Sequence, residues 1–343
     1  MYQILHNLTQ QTGLESGVAY CVVLLIAIFI GLFLLTKGGD ALSDHSSLLA
    51  KALGVPSVVV GLTIVSIATS APELFTSIAA IRSNAQGLIL GNIIGSNIAN
   101  IGLILGLALM VKKVDTRDTI SKTQTATLLL LTFVFCSFLF FNPAKNLSLL
   151  PGVLLLGFIS IYLFGTTAKA LGQRKKQRKG KAEKKGNDAT AKGLFISAFF
   201  ILLSTAALWA GSDSLVFGAK NLAKLGGVPE ELIGFSILAI GTSLPELAAS
   251  ISLVKKDEHK MLLGNIVGSN LFNIGLVGGM AGLLGPVRSN TQFPWIDYLS
   301  LIALTALFCF CLKGRVLRKK DGFIFLACYL ASSVLTWILN GST

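Results

Sequence analysis

Residues 61–81 read GLTIVSIATSAPELFTSIAAI, and residues 91–106 read GNIIGSNIANIGLILG. The chain carries the pair again: GFSILAIGTSLPELAASISLV starts at Gly234 and GNIVGSNLFNIGLVGG at Gly264, each 173 residues after its counterpart. Eleven of the sixteen positions in the second element are identical. The same offset, with no gap, pairs Gly38 with Gly211, Asp40 with Asp213, Gly54-Val55-Pro56 with Gly227-Val228-Pro229, and Arg82 with Lys255. Self-similarity over that length makes the repeat unit half of the chain.

Hydropathy says what the halves are. Of 343 residues 53% are hydrophobic and 13% charged, with a mean hydropathy of +0.73, too apolar for a water-soluble domain. Apolar stretches of roughly the 20 residues that cross a hydrocarbon core of about 30 Å recur at 18–36, 49–82, 88–111, 123–141, 149–170, 193–219, 229–254, 261–284, 295–312 and 322–339. The expectation is an all-α membrane protein of ten transmembrane helices. Five spans per half is an odd number, so the second copy must enter the membrane in the opposite orientation, and the ten form two inverted five-helix repeats. The first repeat is residues 1–171, a basic cytoplasmic linker 172–192, and the second, inverted repeat 193–343. The first span is read as retained rather than as a signal peptide, because no Lys or Arg precedes it.

A net charge of +13 would suit nucleic acid, so the placement of the charges decides. With the N-terminus outside, 24 of the 29 basic residues fall on the cytoplasmic side, which orients both termini outside and leaves no nucleic-acid partner to explain. The run GQRKKQRKGKAEKKGNDATAK, 172–192, is then a topological determinant, a contact for anionic membrane lipid and a flexible tether. Cys21, Cys136, Cys309, Cys311 and Cys328 all lie in apolar spans and read as packing residues. His6, His45 and His259 read as solvated loop residues without metal-ligand spacing.

Chemistry concentrates in Thr69-Ser70-Ala71-Pro72-Glu73 and Thr242-Ser243-Leu244-Pro245-Glu246. Each proline lacks an N–H, so Pro72 deprives the Ala68 carbonyl of its helical donor and Pro245 does the same to Gly241; both helices are expected to break there. Freed carbonyls, Thr and Ser hydroxyls and a carboxylate in the first turn after the break form the oxygen set that hard cations prefer. Glu73 lies nine residues before Arg82 and Glu246 nine before Lys255, about 13 to 14 Å of helix, which puts both near the membrane midplane. No basic residue occurs in 57–81, 88–110, 232–254 or 261–284, so the counter-charge must come from solution as a transported cation. Ser96 with Asn100, and Ser269 with Asn273, share a helix face at i, i+4 and are candidate ligands. Asn92, Asn97, Asn265 and Asn270 read instead as bonds between helices that Gly91, Gly95, Gly264 and Gly268 allow to approach. Asp40 and Asp213 sit near span ends, as caps, anchors or vestibule charges outside the site.

At these motifs the sequence resembles the calcium/cation antiporter superfamily, in its prokaryotic sodium/calcium exchanger branch. The resemblance covers almost the whole chain. It implies a ten-helix fold with four clustered cation sites, in the cytoplasmic membrane of a prokaryote. Glu73 and Glu246 would be the central calcium ligands, with Thr69 and Thr242 giving carbonyls; Ser66, Ser70, Ser96, Ala239, Ser243 and Ser269 match the flanking sodium positions. Two departures stand out: Ala68 faces Gly241 in the alignment of the halves, and Asn273 stands where some archaeal and potassium-dependent relatives carry Asp. With Asn100 as its counterpart, the centre holds two amides and two carboxylates, which argues against potassium dependence.

The expected activity is therefore Ca2+ exchanged for Na+ by alternating access at a midplane site, with no cofactor, no nucleotide-binding motif and inorganic cations as the partners. A proton/divalent antiporter is the alternative, since it needs only the glutamates to titrate. Four hydroxyls, Ser70, Ser96, Ser243 and Ser269, beside two carboxylates favour sodium. An ion channel is disfavoured by the inverted repeat. An intramembrane enzyme is disfavoured by the lack of a nucleophile-base pair.

Overall fold

The computed structural model describes residues 18–82, 86–141, 146–180, 191–227, 239–285, 287–288 and 294–340. Within them the chain is helical apart from two short ribbons, and eight helices are long and apolar enough to cross a membrane. A helix satisfies its own backbone where lipid offers no partners, so this is an all-α membrane protein. In chain order the elements are α1 (Val18–Leu53) and α2 (Ser57–Val60, a π turn at Gly61–Val65, then Ser66–Arg82). Next comes α3 (Gln86–Ala99, a π turn at Asn100–Ile104, then Leu105–Val111), followed by β1 (Val114–Asp115), α4 (Lys122–Phe141), β2 (Asn146–Leu147) and α5 (Leu149–Gly180). The second half holds α6 (Ala191–Leu225), α7 (Ala239–Gly241), α8 (Leu244–Lys255) and α9 (His259–Phe272, a π turn at Asn273–Val277, then Gly278–Leu284). It ends with β3 (Val287–Arg288), α10 (Pro294–Cys311), β4 (Val316–Leu317) and α11 (Lys319–Asn340).

Burial separates a centre from a rim. In α2, α3 and α9, 56%, 78% and 83% of the most apolar stretch is buried, against 17–33% in α1, α4, α5, α6 and α11. The rim turns Phe29, Phe33, Phe133, Ile161, Phe164 and Phe195 outward, as lipid permits and water would not.

Small residues set the tightest contacts, as expected where lipid removes the hydrophobic incentive for helices to associate. The long helices α1 and α6 lie against each other: a Cβ on Gly31 would stand 2.6 Å from the Leu215 amide nitrogen, and one on Gly211 2.9 Å from that of Leu35. In α9, Gly264 and Gly268 sit against the Val58 and Leu62 backbone of α2, and a Cβ on Gly268 would meet the Leu62 carbonyl at 2.7 Å. The ends of α1 and α6 are matched as well. Each closes on a glycine with positive φ, Gly54 (60°) and Gly227 (75°), the left-handed cap that glycine adopts without strain.

Two antiparallel ribbons join the halves: β1 pairs with β4 and β2 with β3. Beside the first ribbon Lys112 bonds Asp257 at 2.7 Å, and this hydrogen bond holds the Asp257 carboxyl below the usual range.

Several expectations change. The gap left between 36 and 49 is continuous helix, whose acids find partners at and just past α8: Asp40 accepts from Ser252 at 2.7 Å, and Lys256 reaches Asp44 at 2.8 Å. That makes Asp40 an anchor. The tether is helical at its start, since α5 runs on to Gly180, while 181–190 lies outside the described residues. His45 is not a solvated loop residue; it lies on α1, half-buried and stacked on Phe200 at 4.5 Å. His259 opens α9, 3.2 Å from Asp257, and His6 is outside the described residues. The span expected at 229–254 is described from Ala239 onward.

Candidate functional site

The two motif helices differ in backbone. The π turn in α2 is held by the Ser66 hydroxyl, which donates to the Gly61 carbonyl at 2.6 Å. Pro72 does not break α2: the helix runs from Ser66 to Arg82 with the proline inside it, correcting the expected interruption. In the second half the break is real. Thr242 and Ser243 form a turn between α7 and α8, and Pro245 and Glu246 fall in the first turn of α8. Ala68 of α2 is matched by Gly241, and a glycine weakens a helix by about 1 kcal/mol relative to alanine, in the direction of the observed break. The Gly241 carbonyl, freed by Pro245, accepts a bond from the Ser212 hydroxyl of α6 at 2.5 Å.

The fold gathers the expected residues in the centre. Ser66, Thr69, Ser70, Glu73, Ser96, Asn100, Ser243, Glu246, Ser269 and Asn273 are all buried; Thr242 is half-buried, and Ala239 belongs to α7 with its side chain outside the described residues. Glu73 and Glu246 are each 1% exposed and near enough to repel one another. Among the described residues no three His, Cys, Asp or Glu side chains group to hold a metal. The oxygens around the carboxylates are therefore neutral ones.

Hydrogen bonds cross between the halves in matched pairs. Thr69 donates to Asn265 and Thr242 to Asn92, each at 3.4 Å. The asparagines in turn donate within their own halves, Asn92 to Ser77 at 3.2 Å and Asn265 to Ser250 at 3.4 Å. So Asn92 and Asn265 do bond between helices, whereas Asn97 and Asn270 bond only their own helix, to Ile93 and Ile266 at 2.6 and 2.7 Å.

Two further bonds have no counterpart. Ser70 donates to Glu246 at 2.8 Å and Asn273 to Ser96 at 2.9 Å. At the matched positions the Ser243 hydroxyl sits beside Glu73 without hydrogen-bond geometry, and Asn100 and Ser269 are unpaired. Buried polar atoms without a protein partner thus include both carboxylate oxygens of Glu73, one of Glu246, both amide atoms of Asn100, the Asn273 oxygen and the hydroxyls of Ser243 and Ser269. A buried orphan costs about 1–3 kcal/mol, and more when charged. A cluster of them, acceptors in the main, is a cradle for a cation.

Motif reading missed the supports of this cradle. Ser77 and Ser250 recur at the same offset and were legible in principle. Ser212 was not, for its matched position is Gly39.

Comparisons agree with the geometry. A family model described as sodium/calcium exchanger protein matches residues 23–168 and 196–338. The sodium/calcium exchanger MaX1 of Methanosarcina acetivorans is 31% identical, over 92% of this chain and 98% of its own. The inner membrane protein YrbG of Escherichia coli is 31% identical over 82% and 86%. A solved structure of the sodium-calcium exchanger NCX_Mj, soaked with Na+ and Ca2+, superposes with a TM-score of 0.76 at 28% identity, covering 91% of this chain and 98% of that one.

Proposed function

The chain belongs to the sodium/calcium exchanger family, and from that premise we propose that it exchanges Ca2+ for Na+ across a membrane, by alternating access at one site between its halves. It is a secondary transporter, not an enzyme. One observation carries the reading: two buried, mutually repelling carboxylates lie among buried oxygens that no protein group satisfies. Ca2+ takes six to eight oxygens at about 2.3–2.6 Å and offsets both charges. Glu73 and Glu246 are its central ligands, with carbonyls from Thr69 and Thr242. Na+ uses the flanking oxygens of Ser66, Ser70, Ser96, Ala239, Ser243 and Ser269, and Asn100 and Asn273 complete the centre. Two negative charges balance one Ca2+, so a third Na+ makes each cycle move net charge and respond to membrane potential.

The finer architecture is ten helices in two inverted repeats. Recurrence of the π turn at Asn100 and Asn273, 173 residues apart, and of the glycine caps supports it. The membrane is the inner membrane of a prokaryote with both termini outside, in line with the basic-residue bias and with a relative named as an inner membrane protein. A cysteine placed at Gly180, in a cysteine-free background, then reacts with impermeant thiol reagents from the cytoplasmic side; labelling from outside reverses the orientation.

Exchange is tested by Ca2+ uptake into proteoliposomes at equal pH on both sides. Sodium-loaded vesicles should take up Ca2+ much faster than choline-loaded ones. Equal rates, with acceleration by a pH gradient instead, would establish proton coupling, which the family does not favour.

A further inference from the structure

Where α3 ends and α11 begins, an open cleft is lined by Val111, Lys112, Lys113, Val316, Arg318, Lys319 and Lys320. Both membrane spans terminate there, one at Val111 and the other at Lys319, so the cleft opens at the depth of lipid headgroups. The first half contributes its cations from just past the end of α3, and the second from Arg318 and the first residues of α11. The β1–β4 ribbon fixes the two together, with Thr116 bonded both ways to the Arg315 backbone, at 2.7 and 3.0 Å.

The nearby acids are already engaged. Asp257 holds Lys112, while Asp321 takes Arg315 at 2.9 Å and the Arg318 backbone amide at 2.8 Å. No ion pair neutralises the side chains of Lys113, Arg318, Lys319 or Lys320 among the described residues. They are exposed, and the first turn of α11 adds the positive end of a helix. Val111 and Val316 give the same cleft an apolar wall.

The repeat supplies an internal control. Lys112 and Lys113 match Gly285 and Pro286 of the second half, beside the equivalent β2–β3 ribbon. Joining the halves therefore does not require the cations. Orientation bias accounts for positive charge on this face, but not for its convergence from two helix ends on one cleft with an apolar wall.

We propose that this cleft binds the phosphate of an anionic phospholipid from the adjacent leaflet, with Lys113, Arg318, Lys319 and Lys320 on the headgroup and Val111 and Val316 against the start of the acyl chains. Basic pockets between spanning helices suit such headgroups, and each cation adds about fivefold to binding. The site is independent of the transport reading.

The test is native mass spectrometry of the purified full-length protein titrated with phosphatidylglycerol or phosphatidylcholine. Phosphatidylglycerol should bind on the order of tenfold or more tightly than phosphatidylcholine. Lys113→Gln, Arg318→Gln and Lys320→Gln should each weaken it about fivefold, with unchanged melting temperature and Na+-driven Ca2+ uptake. Lys122→Gln with Lys260→Gln removes two charges of the same face outside the cleft and should leave it unaltered. Equal loss in that control, or no preference for the anionic lipid, overturns the proposal. So does displacement of the lipid by millimolar inorganic phosphate, which would make the ligand a soluble anion.

Discussion

Ser70 bonds Glu246 at 2.8 Å, yet its counterpart Ser243 makes no hydrogen bond to Glu73; Asn273 bonds Ser96 at 2.9 Å, yet Asn100 leaves Ser269 unpaired. The four pairs consist of the same residue types. Composition therefore does not decide which half is tied. The motif helices that carry the serine–glutamate pairs differ in backbone shape, with α2 continuous through Pro72 and its partner interrupted at Thr242–Ser243. Two copies of one motif in two conformations are what a rocking carrier requires, since exchanging the conformations exchanges the open side.

The largest effect that would break the comparison comes from the carboxylates. Glu73→Gln and Glu246→Gln should each lower Ca2+ exchange in proteoliposomes at least about 100-fold, near 2.7 kcal/mol of barrier, because either removes half the charge that offsets a divalent ion. Near-normal flux in one variant would confine the site to the other half. The serines sharpen the contrast. Ser70→Ala loses a bond to a charged acceptor, worth about 1.5–3 kcal/mol, and should lower the melting temperature measured without Ca2+; Ser243→Ala should leave it unchanged. Equal drops would mean that both halves are tied alike in solution. The amides give the smallest effect. Asn273→Ala should cost about 1 kcal/mol by removing its bond to the Ser96 hydroxyl, which still donates to the Ile93 carbonyl, whereas Asn100→Ala removes a group already unpaired and should cost nothing by the same melt.

The sequence made the all-α membrane architecture legible because apolar length is a local property. It also pointed to the buried polar cluster, since carboxylates and hydroxyls in an apolar helix have few places to go. It could not show that Pro72 stays within a helix. A proline's effect depends on what surrounds the freed carbonyl, and the Ser212 hydroxyl that donates to the Gly241 carbonyl comes from α6, 29 residues away. The continuation of α1 past Lys37 was hidden for a similar reason. Asp40 and Asp44 look like loop residues until Ser252 and Lys256 are placed beside them.

The crossed bonds from Thr69 to Asn265 and from Thr242 to Asn92 also bear on how the protein is made. Asn265 follows Thr69 by 196 residues. At roughly 5–20 residues per second of synthesis, the first motif helix waits about 10 to 40 s in the bilayer before its partner exists. For that interval the nascent first half must keep a carboxylate at membrane depth with neither a cation cradle nor a second half to shield it. Its biogenesis thus depends on an insertion machinery that tolerates an unsheltered charge until the last helices arrive.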